Sequence, residues 1–521
     1  FVEIPVRANG RFVRLDPQTC VPLELVVRMF LPGLFGGYSV AGAWLVKVTR
    51  DADLDIEQDA AGDLLRLIET KLTRMHHRSV VRLEYEQGMD ESLRGLLARQ
   101  LGVGEEDQYP IAGLFTLHDL FALWETIERD DLKYQEQPPV SPRFFSGGDV
   151  FKAIAARDRL LFHPYHSYAP VIELLSQAAD DPAVLAIKQT LYRTSADSSV
   201  ITALERAARS GKYVSVIVEL KARFEERRNI AWARRLEDAG AHVMYGLAGL
   251  KTHAKLLLVV RKEQDGIRRY VHLATGNYNE STARVYTDLS FFTAGRVIGD
   301  DVAALCNMLT GFTWPQGFSL LSVAPLDFRQ KLLALIGREE DNARRGQKAS
   351  ITAMMNSLSD SGVIEALGRA ADAGVRIRLV VRGICQLVPG DNISVRSIVG
   401  RYLQHARVCH VHNGGDDEYY LSSADWMLRN LTRRVELFFP VRDEALREFL
   451  REVLQLQFMD TVNAWELRPD GSYQRVQGRH ARDSFAEIRA LVERMESASA
   501  DDVIQRFVPL RHIHTDQGDQ G

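Results

Sequence analysis

The spacing of hydrophobic and polar positions changes rhythm near residue 150. Before that point helix and strand signals are mixed. Residues 80–89 (VVRLEYEQGM) alternate apolar and polar side chains, the period of a half-buried strand. Residues 90–102 (DESLRGLLARQLG) carry an Asp at the N-cap position, leucines at helical spacing and a closing Gly, and so predict a helix. Residues 115–127 (FTLHDLFALWETI) predict a second amphipathic helix. The Pro- and Gly-rich stretch 130–149 reads as a linker.

Beyond it the pattern becomes an alternation of strands and helices. Strands are predicted over 183–192, 213–220, 253–261 and 268–275, and a helix over 200–212 that ends at Gly211. Residues 231–246 read as helix then strand. The run YVSVIVEL (213–220) is almost wholly apolar, as in a parallel sheet covered on both faces.

The alternation then repeats. Residues 200–220 align without gaps on 363–383, with Ala203, Leu204, Arg206, Ala207, Ala208 and Gly211 matching Ala366, Leu367, Arg369, Ala370, Ala371 and Gly374. Residues 150–318 and 319–500 therefore read as two copies of one α/β domain. The expected organisation is an α+β head domain (1–145) and two α/β domains (146–318 and 319–521) with mostly parallel central sheets.

Composition narrows the class without naming a chemistry. In 521 residues, 46% are hydrophobic and 26% charged, which suits several globular domains and excludes a disordered or fibrous chain. Lys and Arg number 65 against 69 Asp and Glu, a net charge of -4. That excludes a protein basic all over but leaves room for a local basic channel. Cys20, Cys306, Cys385 and Cys409 are widely spaced and form no CxxC pair, so neither a disulfide framework nor a zinc site is expected. No apolar run approaches the roughly 18 residues of a membrane span, and no signal peptide is visible. A cytoplasmic location is expected, with a peripheral place at the inner membrane face left open. The chain opens on Phe1 rather than Met, and its natural N-terminus is expected upstream.

The candidate chemistry sits at matched places in the two copies. The first has His253-Ala254-Lys255, then Ala274-Thr275-Gly276-Asn277, then Asp288. The second has His405-Ala406-Arg407, then Ser422-Ser423-Ala424-Asp425, then Glu436. An imidazole can attack phosphorus and hold the phosphoryl group. A Lys or Arg two residues on would share its strand face and neutralise phosphate oxygens. Asn277 could donate its amide to the same oxygens. The expectation is that Asp288 orients the ring of His253, and Glu436 that of His405. Arg193 and Arg223 follow predicted strands, where an open sheet binds ligands, and Arg382 stands at the repeat equivalent of Glu219. Arg284, Arg433 and Arg434 are candidates for a channel wall, and His410 and His412 are secondary candidates. His76, His77, His118 and His480 are read as structural, and His512 and His514 lie in a polar tail.

The paired halves resemble the HxK…GSxN pattern of the phospholipase D superfamily. Several long segments resemble bacterial polyphosphate kinases more specifically. They include AIKQTLYRTSADS (186–198), VELKARFEERRNIAWARRLEDAG (218–240), LKTHAKLLLVVR (250–261), YVHLATGNYNESTARVYTDLSFFTA (270–294), IVGRYLQHARV (398–408) and YLSSADWMLRNLTRRVELFFPV (420–441). FVEIP at the start, VTRDADLDIEQD (48–59) and VRGICQL (381–387) extend the likeness over essentially the whole chain.

The resemblance implies two phospholipase D-like α/β domains after the head domain, and reversible transfer of the ATP γ-phosphoryl group to polyphosphate through a phosphohistidine. It places the phosphorylated histidine on His253 and the second essential histidine on His405. It places ATP contacts on Tyr286, Arg382 and His405, and a Mg²⁺–phosphate complex on Arg193 and Arg223. It implies ATP, ADP and inorganic polyphosphate as partners, no nucleic acid, and a homo-oligomer, dimer or tetramer. It also implies a further N-terminal domain, with an Asn that helps hold the nucleotide. The chain departs from the pattern at Met354 or Met355, where relatives carry a Lys, which removes one charge from the polymer channel. Its 386–392 stretch is shorter than the usual proline-rich loop. A phosphodiesterase and a silent anion-binding scaffold are the competing readings. The unlike halves, Lys255 and Asn277 against Arg407 and Asp425, favour division of labour.

Overall fold

A computed structural model describes residues 2–6, 10–51, 78–145, 148–194, 198–220, 226–247, 249–311, 313 and 315–497. Arg223, His76, His77, His512 and His514, and most of 48–59, lie outside the described residues. The chain forms two compact units, Phe1–Gln137 and Pro138–Gly521.

In the first unit a hairpin of β1 (Phe12–Asp16) and β2 (Thr19–Pro22) leads into the helix Leu23–Leu34. A three-stranded sheet follows. β3 (Val46–Arg50) is antiparallel to β4 (Val80–Glu86), and β4 is parallel to β5 (Gln108–Ile111). Between β4 and β5 the helix Glu91–Leu101 begins on Asp90, whose carboxylate accepts the Leu93 N–H at 3.1 Å, and ends on Gly102 in the left-handed region. Its Leu97 packs with Val80, Leu83 and Val103. The second predicted helix is shorter than its sequence pattern, a 3₁₀ turn and then Leu120–Thr126.

The second unit holds the two repeats, and they match strand for strand. The first has β6 (Arg159–His163), β7 (Val184–Leu191), β8 (Tyr213–Val218), β9 (His242–Met244), β10 (Lys251–Thr252), β11 (Leu256–Glu263), β12 (Gly266–Ala274) and β13 (Tyr286–Thr293). The second has β14 (Ser322–Ala324), β15 (Ser350–Met355), β16 (Arg376–Val381), β17 (Ile393–Ile398), β18 (Leu403–Gln404), β19 (Val408–Val411), β20 (Glu418–Ser422) and β21 (Arg434–Val441). It then adds β22 (Ala464–Leu467) and β23 (Tyr473–Arg475).

The sheet orders are β13-β12-β11-β7-β8-β9 and β21-β20-β19-β15-β16-β17-β22-β23, with β6 on β13 and β14 on β21. The α/β class stands, but the sheets are mixed rather than mostly parallel. β7, β8 and β9 run parallel, whereas β11, β12 and β13 pair antiparallel, as do their counterparts. The reason is connection length. Crossover helices carry the chain into β8 and β9, while β11 to β12 is joined by a tight turn at Gly266.

The inner faces of the two sheets share one core. Leu256, Leu258, Leu289 and Phe291 join Val408, Leu421, Leu437 and Phe439, and the Phe291 and Phe439 rings stand 5.8 Å apart. Helices cover the outer faces. The helix Ser361–Asp372 turns Val363, Leu367 and Ala370 onto β15 and β16. Met354 and Met355 point to opposite faces of β15 and are buried in the two cores.

Asp360 ties this packing together. Its carboxylate caps the helix by accepting the Val363 N–H (3.0 Å) and takes Nε and Nη2 of Arg329 (3.0 and 2.8 Å). Asp360→Ala removes the cap and strands the guanidinium, and is expected to cost about 2–3 kcal/mol. A urea midpoint unchanged from the parent chain would contradict this.

Candidate active site

The matched histidines lie on short segments that leave their own repeat. β10 pairs in parallel with β21 of the second repeat, Lys251 opposite Arg434 and Thr252 opposite Val435. β18 does the same on β13 of the first, Tyr286 opposite Leu403 and Thr287 opposite Gln404. The His253 N–H then donates to the Val435 carbonyl, and the His405 N–H to Thr287 Oγ1, each at 3.0 Å.

This exchange decides which carboxylate meets which ring. His253 Nδ1 donates to both carboxylate oxygens of Glu436 at 2.9 Å. His405 Nδ1 donates to those of Asp288 at 2.9 and 2.8 Å. The expected pairing of Asp288 with His253 and of Glu436 with His405 is therefore corrected: the pairs are crossed between repeats. The carboxylates are set by hydroxyls from the two turns, Ser423 Oγ donating to Glu436 (2.5 Å) and Thr275 Oγ1 to Asp288 (2.7 Å).

Lys255 and Arg407 do not share a strand face with their histidines, because 253–255 and 405–407 lie between strands. Each side chain instead folds back. The fully buried Lys255 ammonium donates to the His253 carbonyl. Arg407 donates to the His405 carbonyl (2.8 Å), to the Thr275 carbonyl (3.2 Å) and to Asp425 (3.3 Å).

Glu219 and Arg382, matched but opposite in charge, brace the backbone one residue before each histidine. Glu219 accepts the Thr252 N–H at 2.7 Å. Arg382 donates to the Gln404 carbonyl at 2.8 Å and to Asn356 Oδ1 at 3.1 Å.

Aromatic rings complete the surroundings. Tyr192 meets His253 edge-on at 4.8 Å, and Tyr286 lies 5.4 Å from His405. Arg193 follows β7, its guanidinium 5.6 Å from the centre of the Tyr192 ring, beside the His253 half. Asn277 and Asp288 line one small cavity. Arg434 reaches within 3.7 Å of Glu436, whereas Arg284 and Arg433 are exposed. His410 and His412 both hold Asp417, at 2.8 and 3.0 Å, at the opposite end of β19 from His405. His118 packs on Phe121 in the first unit.

The electrostatics separate the two rings. Burial pushes the His253 pKa well below its ordinary value, and the charges of Lys255, Arg434 and Arg407 add to the effect. Burial lowers His405 as well, with Arg407, but Asp288 and Asp425 pull the other way. Burial also lowers Lys255 strongly. For Asp288 burial is outweighed by His405, Arg407 and Thr275, so its carboxyl stays below the usual range. Burial pushes the Glu436 carboxyl up to about 7; once ionised it takes the Nδ1 proton, and a neutral His253 then carries its lone pair on Nε2, the state of a nucleophile.

Among the described residues no three His, Cys, Asp or Glu side chains gather as a metal cage. The carboxylates nearest the histidines are already taken, Glu436 by His253, Asp288 by His405 and Asp425 by Arg407. This donor set does not fit a directly ligated Mg²⁺. Among the described residues, no helix is long and apolar enough to cross a membrane.

Thr275, Ser423 and Tyr192 are residues beside the histidines that the sequence did not single out, and Arg434, expected in a channel wall, stands next to Glu436 instead. The hydroxyls at Thr275 and Ser423 were visible as a matched pair.

Comparison with known proteins agrees along most of the chain. The polyphosphate kinase middle domain matches residues 1–123, polyphosphate kinase C-terminal domain 1 matches 149–315, and C-terminal domain 2 matches 321–487. A polyphosphate kinase from Rhodopirellula baltica is 47% identical over 463 residues, 88% of this chain and 54% of that protein. One from Synechocystis is 45% identical over 499 residues, 89% of this chain and 68% of that protein. The chain thus spans about half to two thirds of the length of these relatives. The crystal structure of a polyphosphate kinase from Porphyromonas gingivalis superposes with a TM-score of 0.82 at 33% identity, covering 95% of this chain and 75% of that one. With relatives this similar along both repeats and the unit before them, the chain belongs to the polyphosphate kinase family.

Proposed function

We propose that the chain transfers the γ-phosphoryl group of ATP to the end of inorganic polyphosphate, reversibly, with His253 as the covalent carrier. The observation that carries this reading is the double hydrogen bond from His253 Nδ1 to Glu436, which leaves Nε2 free to attack. Nε2 attacks the γ-phosphorus, the bond to the β,γ-bridging oxygen breaks, and ADP leaves. A terminal oxygen of polyphosphate then attacks the same phosphorus, the P–N bond breaks, and His253 returns. Run backwards, the two steps make ATP.

Positive charge around the phosphoryl group is the main requirement of such transfers. Lys255, Arg407 and Arg434 supply it about His253. Arg193 and Arg382 would grip the nucleotide phosphates, Asn277 would donate its amide to them, and Tyr286 would flank the adenine. Arg223 is assigned the same phosphate-binding part as Arg193. A Mg²⁺ ion would arrive on the phosphates and neutralise them there. His405, tied to Asp288 and near Asp425, is suited to handling a proton or steadying the departing ADP.

Incubation of the full-length protein with γ-labelled ATP should give an acid-labile, base-stable protein label that unlabelled polyphosphate chases into polymer. Absence of that label would sink the covalent route. Arg193→Ala should slow polymer synthesis about 10²–10³-fold, the usual cost of losing one donor to developing charge. Arg193→Lys should recover only part of it, because an ammonium lacks the two-pronged geometry. Full activity in the Lys variant would argue against a forked phosphate contact.

A further inference from the structure

The two carboxylates stand on different backgrounds. On β13, Asp288 and Ser290 share a face with His163, which lies opposite Asp288 in the antiparallel pairing with β6. His163 Nδ1 donates to the His166 carbonyl (3.0 Å), so its Nε2 accepts the Ser290 hydroxyl (2.9 Å). At the matching places in the second repeat stand Ala324, opposite Glu436, and Phe438, both buried in the apolar core. One carboxylate backs onto polar groups and the other onto hydrocarbon.

Behind Asp288 lies a cavity of about 10 Å³, also lined by Tyr168 and Asn277. It is far too small for a phosphate and is the size of one water, which needs two to four polar partners. The Tyr168 hydroxyl and Asn277 Oδ1 are both buried with no hydrogen-bond partner among the described residues. Buried polar atoms are seldom left so, and bound water commonly satisfies them. The Tyr168 ring is held edge-on against His163, 5.2 Å away.

We propose that Tyr168 is a positioning residue for the His405 half of the site. Its hydroxyl donates to one internal water, and that water donates to Asn277 Oδ1 and to Asp288. The extra donor favours the ionised carboxylate, and through it the proton on His405. Among the described residues the matching places behind Glu436 hold Ala324 and Phe438, which offer no such donor, so the histidine it holds remains the neutral carrier. The inference rests on the proposed function, because it assigns proton handling to His405.

Other groups also face this pair. His405 faces Arg407 on its own segment, whose Nη1 lies 3.1 Å from both ring nitrogens, Asp425 after β20, His253 of the other half, and the Tyr286 ring on β13. Asp288 faces Arg407, Lys255 and Thr275, and across β6 His163, which burial holds neutral with a pKa of about 4. Tyr168 itself faces Glu280. Tyr168→Phe leaves all of them in place and removes only the hydroxyl.

In the full-length protein, Tyr168→Phe should lower kcat for polymer synthesis about tenfold with KM for ATP unchanged, the usual scale for an outer-shell hydrogen bond. The basic limb of the pH profile should move to lower pH. With a donor lost, Asp288 holds the His405 proton less tightly, and that proton is lost at a lower pH. A wild-type kcat and profile in Tyr168→Phe, or a basic limb displaced upward, would overturn the proposal. Labelling by γ-labelled ATP is the separate control. If wild-type protein takes no acid-labile label, the proposed function fails; if the label forms and the profile does not move, only the role of Tyr168 fails.

Discussion

Replacing His253 with alanine is expected to abolish both the acid-labile phosphoenzyme and polymer synthesis, with a fall of at least about 10⁴-fold and the fold retained. The imidazole makes the only bond that stores the phosphoryl group in the proposed route. Alanine leaves the chain path intact, because the His253 backbone N–H still donates to Val435. A normal far-ultraviolet spectrum with no label is the expected result. Label persisting in His253→Ala, or mapping to His405 in the unaltered protein, would sink the assignment.

The second large effect comes from the crossed carboxylates. Glu436→Gln keeps the shape of the buried side chain but can present an amide N–H to Nδ1, turning the ring toward the wrong tautomer. Labelling of His253 should then slow about 10³–10⁴-fold. Asp288→Asn should leave His253 able to take label while crippling steady-state synthesis through His405. Were the carboxylates to act within their own repeats, the two phenotypes would be exchanged. A single-turnover labelling experiment on both variants separates the alternatives.

Much of this was legible in the chain. The repeat followed from six identities around Gly211 and Gly374, because a helix packed on a strand demands the same small and apolar positions in each copy. The histidines, Lys255, Arg407 and the two carboxylates stood at matched places. Their pairing was not legible, since β10 and β18 are two residues each and carry no periodic signal, yet they alone carry the histidines across. The mixed sheets were missed because most of β11 and β13 and the second half of β12 are buried on both faces, as a parallel strand also is. His163 and Tyr168 gave no sign, as their meaning lies in what faces them across β6 and β13. Arg193 and Arg382 were placed correctly at strand ends, but the bracing of Gln404 by Arg382 depends on a backbone carbonyl that no side-chain pattern reveals.

The exchange of β10 and β18 has an evolutionary consequence. A protein with one such repeat could complete a site only as a two-fold dimer, each subunit lending its histidine strand to the other. In that arrangement one codon specifies both histidines and one codon both carboxylates, so every mutation strikes the two halves together and the rings are bound to remain equivalent. Joining the copies into a single reading frame frees them. Lys255 can then drift from Arg407, Asn277 from Asp425 and His163 from Ala324, each under its own selection. The unlike halves are the kind of specialisation that a duplicated and fused gene can accumulate and a single-repeat homodimer cannot.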